Sequence, residues 1–183
     1  MARRAVAFDI AEASWVGNRV FMHYSKTDDP NKPRTPGTFY GSAGVGTVAL
    51  RLYLQTGEDS LLRFAEQCCQ TVASRYTNKI WQDWGLAGCG ELLIDAAQFL
   101  HDDRFLAAAY YLAEGIMPHR ILGPDGVVFP GSELLRVSCD FGVGSAGIGV
   151  FLHRLLNPRA SRFLMMDDVL VPNRPVACQS RIS

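Results

Sequence analysis

The chain has 183 residues, 48% of them hydrophobic, and its 18 Lys and Arg residues balance its 18 Asp and Glu residues. This length and hydrophobic content are sufficient for one globular domain, whereas the balanced charge disfavours nucleic acid or an anionic membrane surface as a partner. The five cysteines form no Cys-x-x-Cys pair and no apolar run reaches the length of a membrane span, so we expect a cytoplasmic protein with reduced thiols and no membrane partner.

The N-terminal region is predicted to begin with a helix. Residues 5–16 carry apolar side chains at helical spacing, and Gly17 and Asn18 are suited to ending that helix. Residues 20–24 favour a β-strand. Residues 26–37 contain three prolines and two aspartates, which indicate a long surface loop.

Three glycine-rich hexads follow, and each is predicted to start a helix that packs closely against another part of the chain. They are residues 41–46 (Gly-Ser-Ala-Gly-Val-Gly), 85–90 (Gly-Leu-Ala-Gly-Cys-Gly) and 144–149 (Gly-Ser-Ala-Gly-Ile-Gly). The hexads lie 44 and 59 residues apart, which is a spacing typical of stacked supersecondary units.

Each of the first two hexads is followed by a predicted helical hairpin. The first hairpin pairs a helix ending at Thr56-Gly57 with a helix from Leu61 to Tyr76, for which Asp59-Ser60 offers the N-cap. The second pairs a helix over 85–100 with one over 105–116, with a break at residues 101–103 between them.

The third hexad begins a helix that Asn157-Pro158 ends, and residues 161–171 are predicted to start its partner helix. Before it, Gly123-Pro124-Asp125-Gly126 predicts a turn, and residues 127–130 are predicted to pair as a short strand. The sequence therefore predicts an all-α domain of helical hairpins over residues 1–165 and an irregular tail over 166–183.

Several of these motifs together resemble a known family. Residues 40–46 followed by 53–57, then 85–88, then 142–149 followed by Phe151-Leu152, are similar to the inner-helix motifs of the lanthionine synthetase C-like cyclases. The resemblance covers residues 5–165 and implies part of an α/α toroid. The chain holds about three to four hairpins, which corresponds to the C-terminal half of such a ring. An open edge is expected to be covered by a partner or by a second copy in a homo-oligomer.

The resemblance also bears on metal binding. Zinc-dependent members carry a cysteine two residues before one hexad and a Cys-His pair immediately before the next, where this chain has Phe39, Asp83 and Trp84. Phenylalanine and indole cannot bind zinc, so we expect no zinc and no other cofactor. This pattern is similar to the zinc-free cyclase domains of class III lanthipeptide synthetases. It implies a precursor peptide as substrate and the kinase and lyase domains of a synthetase as partners.

Without a metal to activate the thiol, its addition to a dehydrated Ser or Thr requires a general base and an acid, or proximity alone. The candidates for these roles are residues just before each hexad. We therefore predict Asp83, Tyr40 and Asp140 as catalytic residues. Asp83 and Asp140 could instead cap a helix, and Tyr40 could instead serve packing.

Four further residues are predicted to bind substrate. Trp81 and Trp84 either line a peptide groove or pack in the core, and His119 and Arg120 follow a proline at a hairpin end, where either could face a cavity. Cys89 lies within a hexad, where its small thiol takes the place of Val45 and Ile148 in the other copies.

Three functions are compatible with these features. The first is a zinc-free cyclase that forms thioethers in a precursor peptide. The second is a catalytically inactive module that binds a peptide or a synthetase partner. The third, an α/α-barrel fragment of glycosidase type, is disfavoured because only Asp83 and Asp140 supply carboxylates at matching positions. A dinucleotide site is excluded because no strand precedes any hexad.

Overall fold

The computed structural model describes residues 2–23, 36–75, 77–158 and residue 167. This part of the chain is mostly helical, with two small antiparallel sheets of two strands each, which confirms the predicted all-α class. The helices are α1 (Ala2–Glu12), α2 (Ser42–Thr56), α3 (Asp59–Val72), α4 (Leu86–Leu100), α5 (Asp103–Ile116) and α6 (Ser145–Leu156). The strands are β1 (Ser14–Val16), β2 (Arg19–Phe21), β3 (Ile121–Gly123) and β4 (Gly126–Val128).

The two predicted hairpins are present as α2 with α3 and α4 with α5. Helix α2 ends at Gly57, whose left-handed backbone (φ 71°) lets its N–H donate to the Tyr53 carbonyl. Between α4 and α5 the break falls at His101, and the Asp102 side chain caps α5 by accepting a hydrogen bond from the Arg104 N–H at 3.0 Å.

The predicted bounds of α3 were wrong at both ends. The helix starts at Asp59 rather than Leu61, its N-cap is Glu58, and no side chain caps it. It ends at Val72 rather than Tyr76, because the Ala73 N–H makes the last helical hydrogen bond, to Cys69. The predicted Asp59-Ser60 cap is therefore the first turn of the helix itself.

The predicted helix over 5–16 was also too long at its C-terminal end. Helix α1 stops at Glu12, and residues 14–16 pair with 19–21 across a turn in which Gly17 is left-handed (φ 59°). Strand β2 is held by buried long-range hydrogen bonds: the Val20 N–H donates to Thr71 Oγ1 at 2.8 Å, and its carbonyl accepts from Ser42 Oγ at 2.6 Å. These contacts with α3 and α2 outweigh the helical pattern of the local sequence.

The Gly123–Gly126 turn joins β3 to β4 as predicted, with Ile121 opposite Val128. Phe129 is buried beyond the hairpin, and Pro130 forms an isolated bridge with Val137. Most of the predicted loop over 26–37, nearly all of the predicted helix over 161–171 and most of the 166–183 tail lie outside the described residues.

The core lies between the helices of the two hairpins and α6. It includes the fully buried side chains of Leu50, Leu92, Leu93, Ile148 and Phe151. None of the helices in the described ranges combines the length and apolar character needed to cross a lipid bilayer. Of the helices that begin at the hexads, α2 packs against α4 and α4 packs against α6. This arrangement positions the candidate site.

Candidate functional site

Helices α2, α4 and α6 begin in the same way. Each has the first glycine of its hexad as N-cap in an extended conformation, and none has a side-chain cap. Instead, N–H groups of the first turn donate to carbonyls seven residues earlier: Ala43 to Pro36, Ala87 to Ile80, and Ser145 to Ser138. The preceding turn thus satisfies backbone donors that a helix start would otherwise leave unpaired.

The middle glycine of each hexad permits this close approach. A methyl group on Gly44, Gly88 or Gly147 would overlap the carbonyl oxygen six residues before it. The hexads were predicted to pack closely against another part of the chain. For the middle glycine of each hexad, that part is the turn directly before the hexad.

The turns before the three hexads, residues 38–40, 82–84 and 141–143, are here called the rim. The Phe39 N–H donates to the Asp83 carbonyl at 2.8 Å, and the Asp83 N–H donates to the Gly142 carbonyl at 3.0 Å. Segments 44 and 59 residues apart in the sequence are therefore joined into one strip of backbone. The predicted catalytic residues Tyr40 and Asp83 lie in this rim, and Asp140 directly precedes its last turn.

The rim carries a group of aromatic side chains that water can reach. Phe39 is 48% exposed and Tyr40 is 54% exposed. The Phe39 ring meets Tyr40 edge-on at 4.4 Å and Trp84 at 6.1 Å between centroids. Lys79 Nζ lies 5.5 Å from the centre of the Trp84 ring. Phe39, Asp83 and Trp84, which the resemblance aligns with zinc ligands, are thus brought together.

Asp83 has a partly desolvated carboxylate in the middle of the rim. It lies against Gly142, where an added methyl group would come within 2.5 Å of Asp83 Oδ2. Burial raises the pKa of Asp83 above its usual value, and the charge of Asp140 raises it further. A carboxylate with a raised pKa is a stronger base, which is the property a proton acceptor needs.

Asp140 has a different environment, although it belongs to the same region. It is exposed, and its carboxylate accepts hydrogen bonds from the Ser138 hydroxyl and, at 2.7 Å, from the Val143 N–H. These bonds lower the pKa of Asp140. Asp140 therefore does not cap α6, whose N-cap is Gly144, but organises the turn before that helix and keeps a negative charge near Asp83.

Tyr40 has a left-handed backbone (φ 64°), which is uncommon for a residue other than glycine, asparagine or aspartate. Such a conformation costs about 1 kcal/mol or more and persists only where the surrounding structure imposes it. Here the chain must turn sharply from Phe39 into the Gly41 N-cap. The consequence is that the phenol group is held at the surface of the rim.

The remaining predicted substrate-binding residues, apart from Trp84, lie elsewhere. Trp81 is 3% exposed and its indole N–H donates to the Pro130 carbonyl at 2.7 Å, so it packs in the core rather than lining a groove. His119 and Arg120 lie between α5 and β3, and Arg120 donates to the Met117 carbonyl at 3.0 Å. In the described part of the chain, no hydrogen bond, ion pair or ring contact joins either residue to the rim.

One group of residues was not predicted at all. Arg51 in α2, Asp95 in α4 and Arg154 in α6 are buried and linked in order, with Arg51 2.8 Å and Arg154 2.7 Å from the Asp95 carboxylate. Arg154 also pairs with Glu91, and Arg51 donates two hydrogen bonds of 2.7 Å to Asp167. A signal was available in the sequence, because each of the first three residues follows its hexad's first glycine by ten positions and their charges alternate.

Glu91 is a carboxylate of this buried network whose pKa is clearly raised. Burial raises its pKa to about 7, against the opposing attraction of Arg154. Desolvation outweighs the ion pair with Arg154, and the negative charge of Asp95 raises the pKa of Glu91 further.

No three His, Cys, Asp or Glu side chains lie together as a metal site would require within the described residues. Absence of zinc from the protein stays a prediction. A scan of protein-family models and a search of curated proteins each give no match to this chain. The support for a lanthionine synthetase C-like function therefore comes from the sequence motifs and from the chemistry that the rim residues could carry out.

Proposed function

We propose that the chain is a zinc-free cyclase segment of lanthionine synthetase C-like type, built of helical hairpins as part of an α/α toroid. The observation that carries the proposal is the meeting of Phe39, Asp83 and Trp84 at the rim. These are the positions at which zinc-dependent members of that family hold their metal, and here they combine a carboxylate with two aromatic rings.

The proposed reaction is the addition of a peptide cysteine thiol to a dehydrated Ser or Thr. Asp83 accepts the thiol proton, and the sulfur then forms a bond to the β-carbon of the dehydro-residue. The double bond of the dehydro-residue opens to an enolate, whose α-carbon takes a proton from the Tyr40 hydroxyl to give the thioether. The proton held by Asp83 then returns through solvent to the Tyr40 phenolate, which restores both side chains. The raised pKa of Asp83 supports its role as the base, and Asp140 acts through its charge, which helps to raise that pKa.

The substrate is proposed to be a precursor peptide already dehydrated by kinase and lyase domains. The exposed rings of Phe39 and Tyr40 and the half-buried ring of Trp84 offer apolar and stacking contacts to such a peptide. Bringing the thiol and the dehydro-residue together on this surface would accelerate the addition even before any proton transfer.

A test uses a separately prepared dehydrated peptide and follows the loss of its free thiol with and without the protein. Asp83→Asn should slow the catalysed reaction by about 100-fold, which is typical for the loss of a general base. Asp125→Asn, in the exposed turn between β3 and β4, is the matched control and should leave the rate unchanged. Tyr40→Phe should also slow it, with Tyr111→Phe as its control.

The exposed aromatic rings also favour the second candidate, a catalytically inactive module that binds the peptide. In that case the rate with the wild-type protein would equal the uncatalysed rate, while Trp84→Ala would still weaken peptide binding measured by fluorescence anisotropy. A protein that neither accelerates thiol loss nor binds the peptide would refute both proposals.

A further inference from the structure

Neighbouring helices among α2, α4 and α6 contact each other by a repeated rule. The last glycine of one hexad faces the side chain seven positions after the first glycine of the next. A methyl group on Gly46 would lie 2.8 Å from Leu92 Cδ2 and also 2.7 Å from Cys68 Cβ of α3, and one on Gly90 would overlap the ring of Phe151. Each of these glycines is thus a socket that receives a large apolar side chain from the next helix.

Helices α6 and α2, at the two ends of this series, each have one partner of such a contact left unmatched in the described ranges. Among the described residues, a methyl group added to Gly149, the last glycine of the third hexad, would meet nothing within 4 Å. On the same face of α6, two turns further along, Leu156 is 72% exposed, and Val150 beside Gly149 is 39% exposed. At the other end, Val48 occupies the position in α2 that corresponds to Leu92 and Phe151, and it is 44% exposed.

Among the turns before the hexads, the third one also lacks, within the described part of the chain, a contact that the first two make. The Thr38 hydroxyl lies against Gly88 and the Gln82 side chain lies against Gly147, so each of these turns contacts the start of the next helix. Phe141 holds the equivalent position in the third turn, and its ring is 48% exposed. Helix α6 and its turn therefore present a surface shaped for one more helix of the same kind.

We propose that a second copy of this chain supplies that helix, with Val48 of one copy seated in the Gly149 socket of the other. The contact would reproduce between copies the packing that joins α2 to α4 and α4 to α6 within one copy. It is heterologous, because the two copies contribute different faces. It also goes beyond the chemistry proposed for the rim and does not depend on it.

The buried charges are compatible with this contact. It would bring Arg154 of one copy toward Arg51 of the other. Within its own copy Arg154 pairs with Glu91 and Asp95, and Arg51 pairs with Asp95 and Asp167. Both arginines are already neutralised, so association would bury no unpaired charge.

The test uses the full chain and two variants at exposed positions, Val48→Asp and Gly149→Gln. Sedimentation velocity should show association of the wild type that increases with concentration. Each variant alone should lose it, with affinity weakened at least about tenfold. Val127→Asp is the matched control, since Val127 is an exposed valine on β4, and it should associate like the wild type.

Mixing the two variants gives the sharpest result. The Gly149→Gln copy keeps its Val48 side chain and the Val48→Asp copy keeps its Gly149 socket, so the mixture should form a 1:1 complex joined by one contact. A wild type that stays monomeric at every concentration would overturn the proposal. It would also be overturned by a mixture that does not associate or by a Val127→Asp variant that dissociates, because either means that the copies meet elsewhere.

Discussion

Glu91 should give the stability of the protein a pH dependence that one substitution removes. Its side chain is 1% exposed, and burial raises its pKa from an ordinary value of 4.5 to about 7. Between these two values the folded state binds more protons than the unfolded state. The free energy of unfolding therefore falls as the pH rises. The stabilisation is fully present below about pH 4.5 and is lost as the pH rises through about 7.

The size of the effect follows from the difference between the two pKa values. One pH unit within the interval corresponds to about 1.4 kcal/mol, so the whole interval contributes about 3 kcal/mol. Glu91→Gln cannot ionise and should lose this contribution, although its amide can still accept a hydrogen bond from Arg154. The wild type should therefore lose about 3 kcal/mol more than the variant between the two ends of the interval.

Urea unfolding at several pH values from about 4.5 to 8 measures this difference. Glu133→Gln, at an exposed position, is the control and should follow the wild type. Other carboxylates add the same slope to all three proteins, so comparing the variants isolates Glu91. If Glu91→Gln shows the wild-type slope, the Arg154 ion pair outweighs the burial of Glu91 and the reasoning is refuted.

Two further predictions concern the core and the glycine sockets. In a Cys178→Ser background, the exposed Cys139 should react quickly with a thiol reagent, while Cys68, Cys69 and Cys89 should react only on unfolding. The reason is that these three thiols are buried, and burial raises the pKa of Cys89 to about 12. Fast labelling of several thiols in the native protein would contradict this prediction. Gly90→Ala should cost about 1–3 kcal/mol through its clash with Phe151, offset by at most about 1 kcal/mol of helix propensity. Gly149→Ala should be neutral or stabilising in thermal unfolding, and equal effects of the two substitutions would refute the socket geometry.

The parts of the fold that could be predicted are those whose causes are local. Gly41, Gly85 and Gly144 were expected to start helices, and each is the N-cap of one. The reason is that the middle glycine of each hexad packs against the backbone of a turn only six residues earlier, where a side chain would not fit. The Gly57 stop is equally local, since it needs only a residue that adopts a left-handed backbone easily.

The errors occur where distant contacts decide the structure. Residues 14–16 have a helical pattern, yet they form a strand because their partner β2 is tied to Thr71 and Ser42. Trp81 could not be separated from Trp84 by sequence, although one is buried against Pro130 and the other lies at the rim. The raised pKa of Asp83 depends in part on Asp140, which lies 57 residues further along the chain.

The contacts that recur at equivalent positions after each hexad also explain why the rim residues keep fixed relative positions. Each of α2, α4 and α6 is fixed at its first turn by hydrogen bonds to the preceding turn. It is fixed again through Arg51, Asp95 or Arg154, about 15 Å further along the helix axis at 1.5 Å per residue. A helix held at two separated points can neither slide nor rotate without breaking buried ion pairs, which costs several kcal/mol. Asp83 and its aromatic neighbours therefore lie on a rigid support, which the proposed alignment of two reacting groups of a peptide would require.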